Sequence, residues 1–186
     1  MPFWKDHPGR HPELAASLSS WLREPDSLTA RCERACRQFR VRLLRSGAEA
    51  SVFASGGAPR VWVREVVLEC DGRPVIFAHT ELARLPRGRL TLWLRRLGSR
   101  SLGSLLFAFP GFRRGGLQFC RLDARSPLFA RAVTAGGLTD CRSLWARRST
   151  HRLGRQSVLV TEVFLPAIDA LKTVPGRNRA PAVQRG

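Results

Sequence analysis

The sequence has no apolar run approaching the roughly 20 residues that span a bilayer. Its opening, MPFWKDHPGRHPEL, lacks the apolar stretch of a signal peptide. The expectation is a cytoplasmic protein. Cysteines number only five, an odd count, and without an export signal they read as reduced thiols, not a disulfide framework. Cys32 and Cys36 are spaced i,i+4, but His7, His11, His79 and His151 are scattered, so no metal site is expected. No finger spacing, RNP-like aromatic motif or internal repeat is present. Lysine is nearly missing: Lys5 and Lys172 are the only two.

What is abundant is arginine, which brings the formal charge to +18. Such a balance suits nucleic acid, an anionic membrane surface or an anionic small substrate. The arginines are spread through every segment instead of massed in a block, a pattern that coding bias produces as well, and no nucleic-acid partner is expected. Whatever its origin, the charge attracts small dianions. At 186 residues the chain can bury about 70% of its unfolded surface in a single domain. That domain is placed over residues 12–170, with disordered segments at 1–11 and 171–186.

Along the chain, ELAASLSSWLR after Pro12 reads as a short helix, and Asp26-Ser27 can cap a second, LTARCERAC, with Glu33 and Arg37 at i,i+4 spacing. QFRVRLLR alternates as a strand with one wet face. Residues 61–82, VWVREVVLECDGRPVIFAHTEL, are two strands about an Asp71-Gly72 turn. LTLWLRRLGSRSLGSLLFAF (90–109) holds two short helices around Gly98. LQFCRLD is a strand, and SPLFARAVTAGG is either a helix or an irregular insertion. SLWARRSTHRL and QSVLVTEVFLP form a second hairpin about Gly154-Arg155. The sum is α+β, a mostly antiparallel sheet of about six strands with two helical pairs.

Two charges stand on the wrong faces. Counting by twos puts Arg64 beside Trp62, Val66 and Leu68, and Glu162 beside Val158, Val160 and Phe164. Each is the lone ion on an apolar stripe. An unpaired buried ion costs several kcal/mol, so Arg64 needs a carboxylate from the protein or from a ligand. The two are either a structural ion pair or the poles of a pocket. Arg147 and Arg148 put one arginine on each face of their strand, and spacing does not say which faces the pocket. His79 reads as a packed or edge histidine, not a base, and Cys70, Cys120 and Cys141 as small core residues.

Five stretches in order, SWLREPDSLTARCE, VWVREVVLECDGRPVIFAHT, RLGSRSLGSLLF, LWARRS and VTEVFLP, resemble the chorismate pyruvate-lyase family over most of residues 14–168. The resemblance implies a cofactor-free lyase that converts chorismate to 4-hydroxybenzoate and pyruvate for ubiquinone synthesis, on one antiparallel sheet under two helix-turn-helix flaps. It implies that Arg64 and the backbone amides of Leu28 and Leu102 hold the product carboxylate, while Glu162 meets the phenolic end. A carboxyl on an apolar face should titrate high, which makes Glu162 a candidate general acid; stabilising ring charge or binding the hydroxyl are the other roles open to it. Residues 109–142 and the tail are longer than the family pattern. A monomer is expected, with transient association with a membrane or a membrane prenyltransferase left open. The rival reading is a non-catalytic aromatic-acid-binding domain, since the fold resembles effector modules of transcription regulators. Such a module would follow a winged helix, for which there is no room before residue 14.

Overall fold

The structure, a computed structural model, describes residues 3–9, 11, 14–54, 60–82, 96–100, 102, 111 and 113–171. Helices α1 (Ala16–Leu22) and α2 (Leu28–Ala35) form the hairpin expected about Pro25. Ser27 caps α2, its Oγ accepting from the Ala30 amide at 3.3 Å. Arg31 locks the corner: it donates to Ser20 O at 2.7 Å and Glu24 Oε2 at 3.1 Å and stacks 3.9 Å from the Trp21 ring centre. The helix ends at Ala35, with Cys36 already extended, so Glu33 and Arg37 never share a helical face.

The sheet comprises β1 (Phe39–Ala50), β2 (Arg60–Cys70), β3 (Arg73–Leu82), β4 (Arg113–Arg114), β5 (Gln118–Asp123), β6 (Ser143–Leu153) and β7 (Gln156–Phe164). All pairings are antiparallel in the order β1-β2-β3-β7-β6, with β4 and β5 following one another along the outer side of β6. Both predicted hairpin turns form. Asp71 and Gly72 take φ of 50° and 76°, and Gly154 takes 56°, the left-handed region a tight primed turn needs. Helix α3 (Pro127–Gly136) resolves the ambiguous SPLFARAVTAGG, closed by Gly137 at φ 62°. Residues 109–142 thus supply β4, β5 and α3. A 3-10 turn (Pro166–Ala170) follows β7, and its Asp169 accepts from Ser17 Oγ at 2.9 Å.

Strand alternation divides the core. One sheet face packs Val66, Leu68, Ile76 and Phe164 against Trp21, Leu22 and Leu28 of the helical hairpin. The other packs Val67, Phe77 and Val163 against Leu128, Phe129 and Ala132 of α3. Each of these Val, Leu, Ile and Phe side chains stabilises the fold by about 1.5–3 kcal/mol.

The opening segment departs from expectation. Composition suggests disorder over residues 1–11, yet Lys5 exchanges backbone hydrogen bonds with Phe119 at 2.9 and 2.7 Å, extending the sheet at β5. Most of the helices expected within 90–109, and the tail from 172 onward, lie outside the described residues.

Candidate active site

Register across β2, β3, β7 and β6 builds the site row by row. Arg64, Thr80, Val160 and Ser149 form one row, and Val66, Ala78, Glu162 and Arg147 form the next. Arg64 and Glu162 therefore share the face that the α1–α2 hairpin covers. They stand two strands and one row apart, roughly 10 Å across the sheet and 7 Å along it. They do not neutralise each other.

Arg64 is 3% exposed. Its Nη2 donates to the carbonyls of Gly98 at 2.9 Å and Arg100 at 2.7 Å, while Nε has no partner. No carboxylate among the described residues reaches it. Burial pushes its pKa down to about 10. A charged fork held in a dry site by carbonyls alone is set up to accept a carboxylate.

Glu162 is not the lone carboxyl that its stripe suggests. Arg147, directly opposite on β6, donates from Nε to Glu162 Oε2 at 2.7 Å. Glu162 thus has a charged partner within the chain, on the same face as Leu28, Leu102 and Val160. Oε1 has no donor among the described residues. Arg147 continues to the hairpin, donating to Glu24 O at 2.6 Å and Leu22 O at 3.3 Å. Arg148 points to the other face, where it donates to Gln118 Oε1 at 2.9 Å and lies 4.4 Å from the Trp4 ring centre.

A cavity of about 40 Å³ lies between hairpin and sheet, lined by Leu28, Leu102, Arg114, Arg147, His151 and Glu162 among others. Leu28 opens α2, where backbone amides have no intrahelical acceptor. Leu102, 6% exposed, faces it from the second flap segment. The volume suits a water or two and is far below that of ligand pockets of several hundred Å³. A ring acid enters only if a flap moves.

His151 and Arg114 belong to this wall and are absent from the sequence-based assignment. Arg114 donates from Nε to Ser149 Oγ at 3.2 Å and from Nη1 to Pro25 O at 2.5 Å. His151 Nε2 lies 3.1 Å from the same hydroxyl. Burial, reinforced by Arg114, pushes its pKa down to about 4, so it is neutral near pH 7. Only the two-residue β4 brings Arg114 here, and so short a strand leaves no periodic signal.

His79 is packed, as expected, and lies on the opposite face. It is wholly buried between Glu65 Oε1 at 2.8 Å and Glu81 Oε1 at 3.0 Å. Burial opposes its charge, but the two carboxylates prevail and raise its pKa.

Residues 4–172 match the family described as chorismate lyase. A protein of Dechloromonas aromatica, named probable chorismate pyruvate-lyase, is 64% identical over 160 residues, covering 83% of this chain and 90% of its own. One from Azoarcus sp. strain BH72 with the same name is 44% identical over 183 residues, 92% and 95% of the two chains. Among solved structures, the C-terminal domain of the histidine utilization repressor from Pseudomonas syringae pv. tomato shares the fold. Its TM-score is 0.50 at 11% identity, over 75% of this chain and 98% of that domain.

Proposed function

The chain belongs to the chorismate lyase family, and from that premise we propose that it converts chorismate to 4-hydroxybenzoate and pyruvate, the entry step of ubiquinone synthesis, beneath the α1–α2 hairpin on the sheet face that carries Arg64 and Glu162. The observation that carries the site is Arg64, a buried guanidinium with an unpartnered Nε and no carboxylate among the described residues. The ring carboxylate of the substrate supplies the missing counter-ion, and the amides of Leu28 and Leu102 complete its cradle.

The chemistry asks little of the protein. The ether C–O bond to the enolpyruvyl group breaks, a ring C–H proton leaves, and the released fragment takes up one proton to become pyruvate. Gain of aromaticity drives the reaction, so the site chiefly orients the ether and keeps water out. Glu162, with Oε2 held by Arg147, offers Oε1 to the ring hydroxyl and opposes positive charge that develops on the ring as the C–O bond breaks.

Incubating the purified protein with chorismate tests this reading. Equimolar 4-hydroxybenzoate and pyruvate are expected, followed by absorbance and by a coupled pyruvate assay. Unchanged chorismate, or a different product, overturns it.

A further inference from the structure

Arg147 is 1% exposed and serves two structures at once. Its Nε holds Glu162 Oε2 at 2.7 Å, and its Nη1 holds Glu24 O at 2.6 Å and Leu22 O at 3.3 Å. Leu22 ends α1, and Glu24 lies in the link to α2. Arg114 grips the next carbonyl of that link, Pro25 O, at 2.5 Å. A guanidinium is rigid and planar, so the direction of Nη1 determines that of Nε. The hairpin therefore cannot lift without Arg147 either surrendering two carbonyls or carrying its Nε away from Glu162.

On the reading of Glu162 given above, we propose that Arg147 is a positioning residue that ties closure of the α1–α2 hairpin to the placement of Glu162. With the hairpin down, all three acceptors are met and Oε1 faces the ring. With it raised for entry or release, the ion pair is disturbed and Glu162 is no longer set. Chemistry is thereby confined to the closed, water-free state. A purely structural arginine would hold the fold without linking these two events.

The test is a comparison of wild type, Arg147→Lys and Arg147→Met in single-turnover and product-release experiments. Lysine keeps the charge but has one nitrogen, which cannot satisfy Glu162 and the link carbonyls together. Arg147→Lys should slow the single-turnover step on the order of 10- to 100-fold while product leaves faster than from wild type. Arg147→Met should slow the single-turnover step at least as much, because Glu162 has lost the group that holds its Oε2. In a Glu162→Gln background, Arg147→Lys should have little further effect on the chemical step. If Arg147→Met does not fold, the lysine variant and the Glu162→Gln cycle decide alone. Single-turnover rates within twofold of wild type, or equal slowing of chemistry and release, overturn the proposal. Absence of turnover in the wild type would instead overturn the lyase reading, and hydrogen exchange in 16–35 would still report whether Arg147→Lys frees the hairpin.

Discussion

Arg64 and Arg147 occupy the same sheet face and are both almost fully buried, yet among the described residues only Arg147 has a carboxylate partner. The difference assigns them different work. Arg147 completes an ion pair with Glu162, and on the proposed reading Arg64 takes its counter-ion from the ligand. On the proposed reading, Glu162 acts as a placed negative charge beside the ring. Replacement of Glu162 by glutamine keeps a hydrogen-bond acceptor at Oε1 but removes that charge. Glu162→Gln should bind 4-hydroxybenzoate within a few-fold of wild type and turn over chorismate about 10²–10⁴-fold more slowly. Undiminished single-turnover rates in rapid-quench experiments would remove Glu162 from the chemistry. The pairing of Glu162 with Arg147 was legible: counting back from the Gly154-Arg155 turn sets Arg147 opposite Glu162. The alternation of a single strand does not show it, since a lone charge on one stripe gains a partner only when the neighbouring strand is in register.

The elements most readable in the sequence are those with local chemistry: the Asp71-Gly72 and Gly154-Arg155 turns and the Ser27 cap. Helix α3 was open because its short apolar run fits several structures, and only packing on Phe77 and Val163 decides it. The edge strand β4 depends wholly on its partner β6. The polar tie between strands and α3 was equally hidden. Glu65 binds both His79 and Arg131 of α3, the latter at 2.6 Å, and Glu81 binds His79, Ser51 Oγ and the Val52 amide. This network titrates with opposing signs. The raised pKa of His79 contributes stability fully present below its unfolded value near 6.5 and lost as pH rises through the folded one. Glu65 and Glu81, lowered despite burial by their hydrogen bonds to His79 and to Arg131 or Ser51, contribute above about 4.5 and lose it on acidification. The tie is strongest between those limits. His79→Gln should therefore lower the urea midpoint more at pH 6 than at pH 8.5, and equal losses at both would show that His79 is held neutral. His151 acts in the contrary sense, since its depressed pKa costs stability as pH falls from about 6.5 to about 4, which is why the comparison is made against the parent at each pH.

At the scale of the whole molecule, the family resemblance and the α+β class were available from motif order alone, whereas the shape of the charged surface was not. Beyond the active cavity, a groove of about 960 Å³ runs along the β4–β6 edge, lined by Arg113, Arg148 and Arg152, with Asp6 as its acidic member. Together with a net +18, it makes this edge of the sheet electropositive. A dianionic substrate should be steered by this field. Raising NaCl from about 20 to about 500 mM should lower kcat/KM several-fold, mainly through KM, as screening shortens the field to a few ångströms. A salt-independent kcat/KM would show that the surface charge plays no part in capture. No helix among the described residues is long and apolar enough to cross a membrane.

On the proposed reading Arg64 meets its counter-ion only when a ring acid binds, so equilibrium titration of 4-hydroxybenzoate against wild type and Arg64→Met is the decisive measurement. Loss of a buried charged partner costs about 2–5 kcal/mol, so the methionine variant, folded by circular dichroism, should bind at least about thirtyfold more weakly. Without ligand it should melt no earlier than wild type, because a buried charge with no counter-ion among the described residues has been removed, which offsets the two hydrogen bonds lost to Gly98 O and Arg100 O. Equal affinity for the acid in the two proteins would contradict the account.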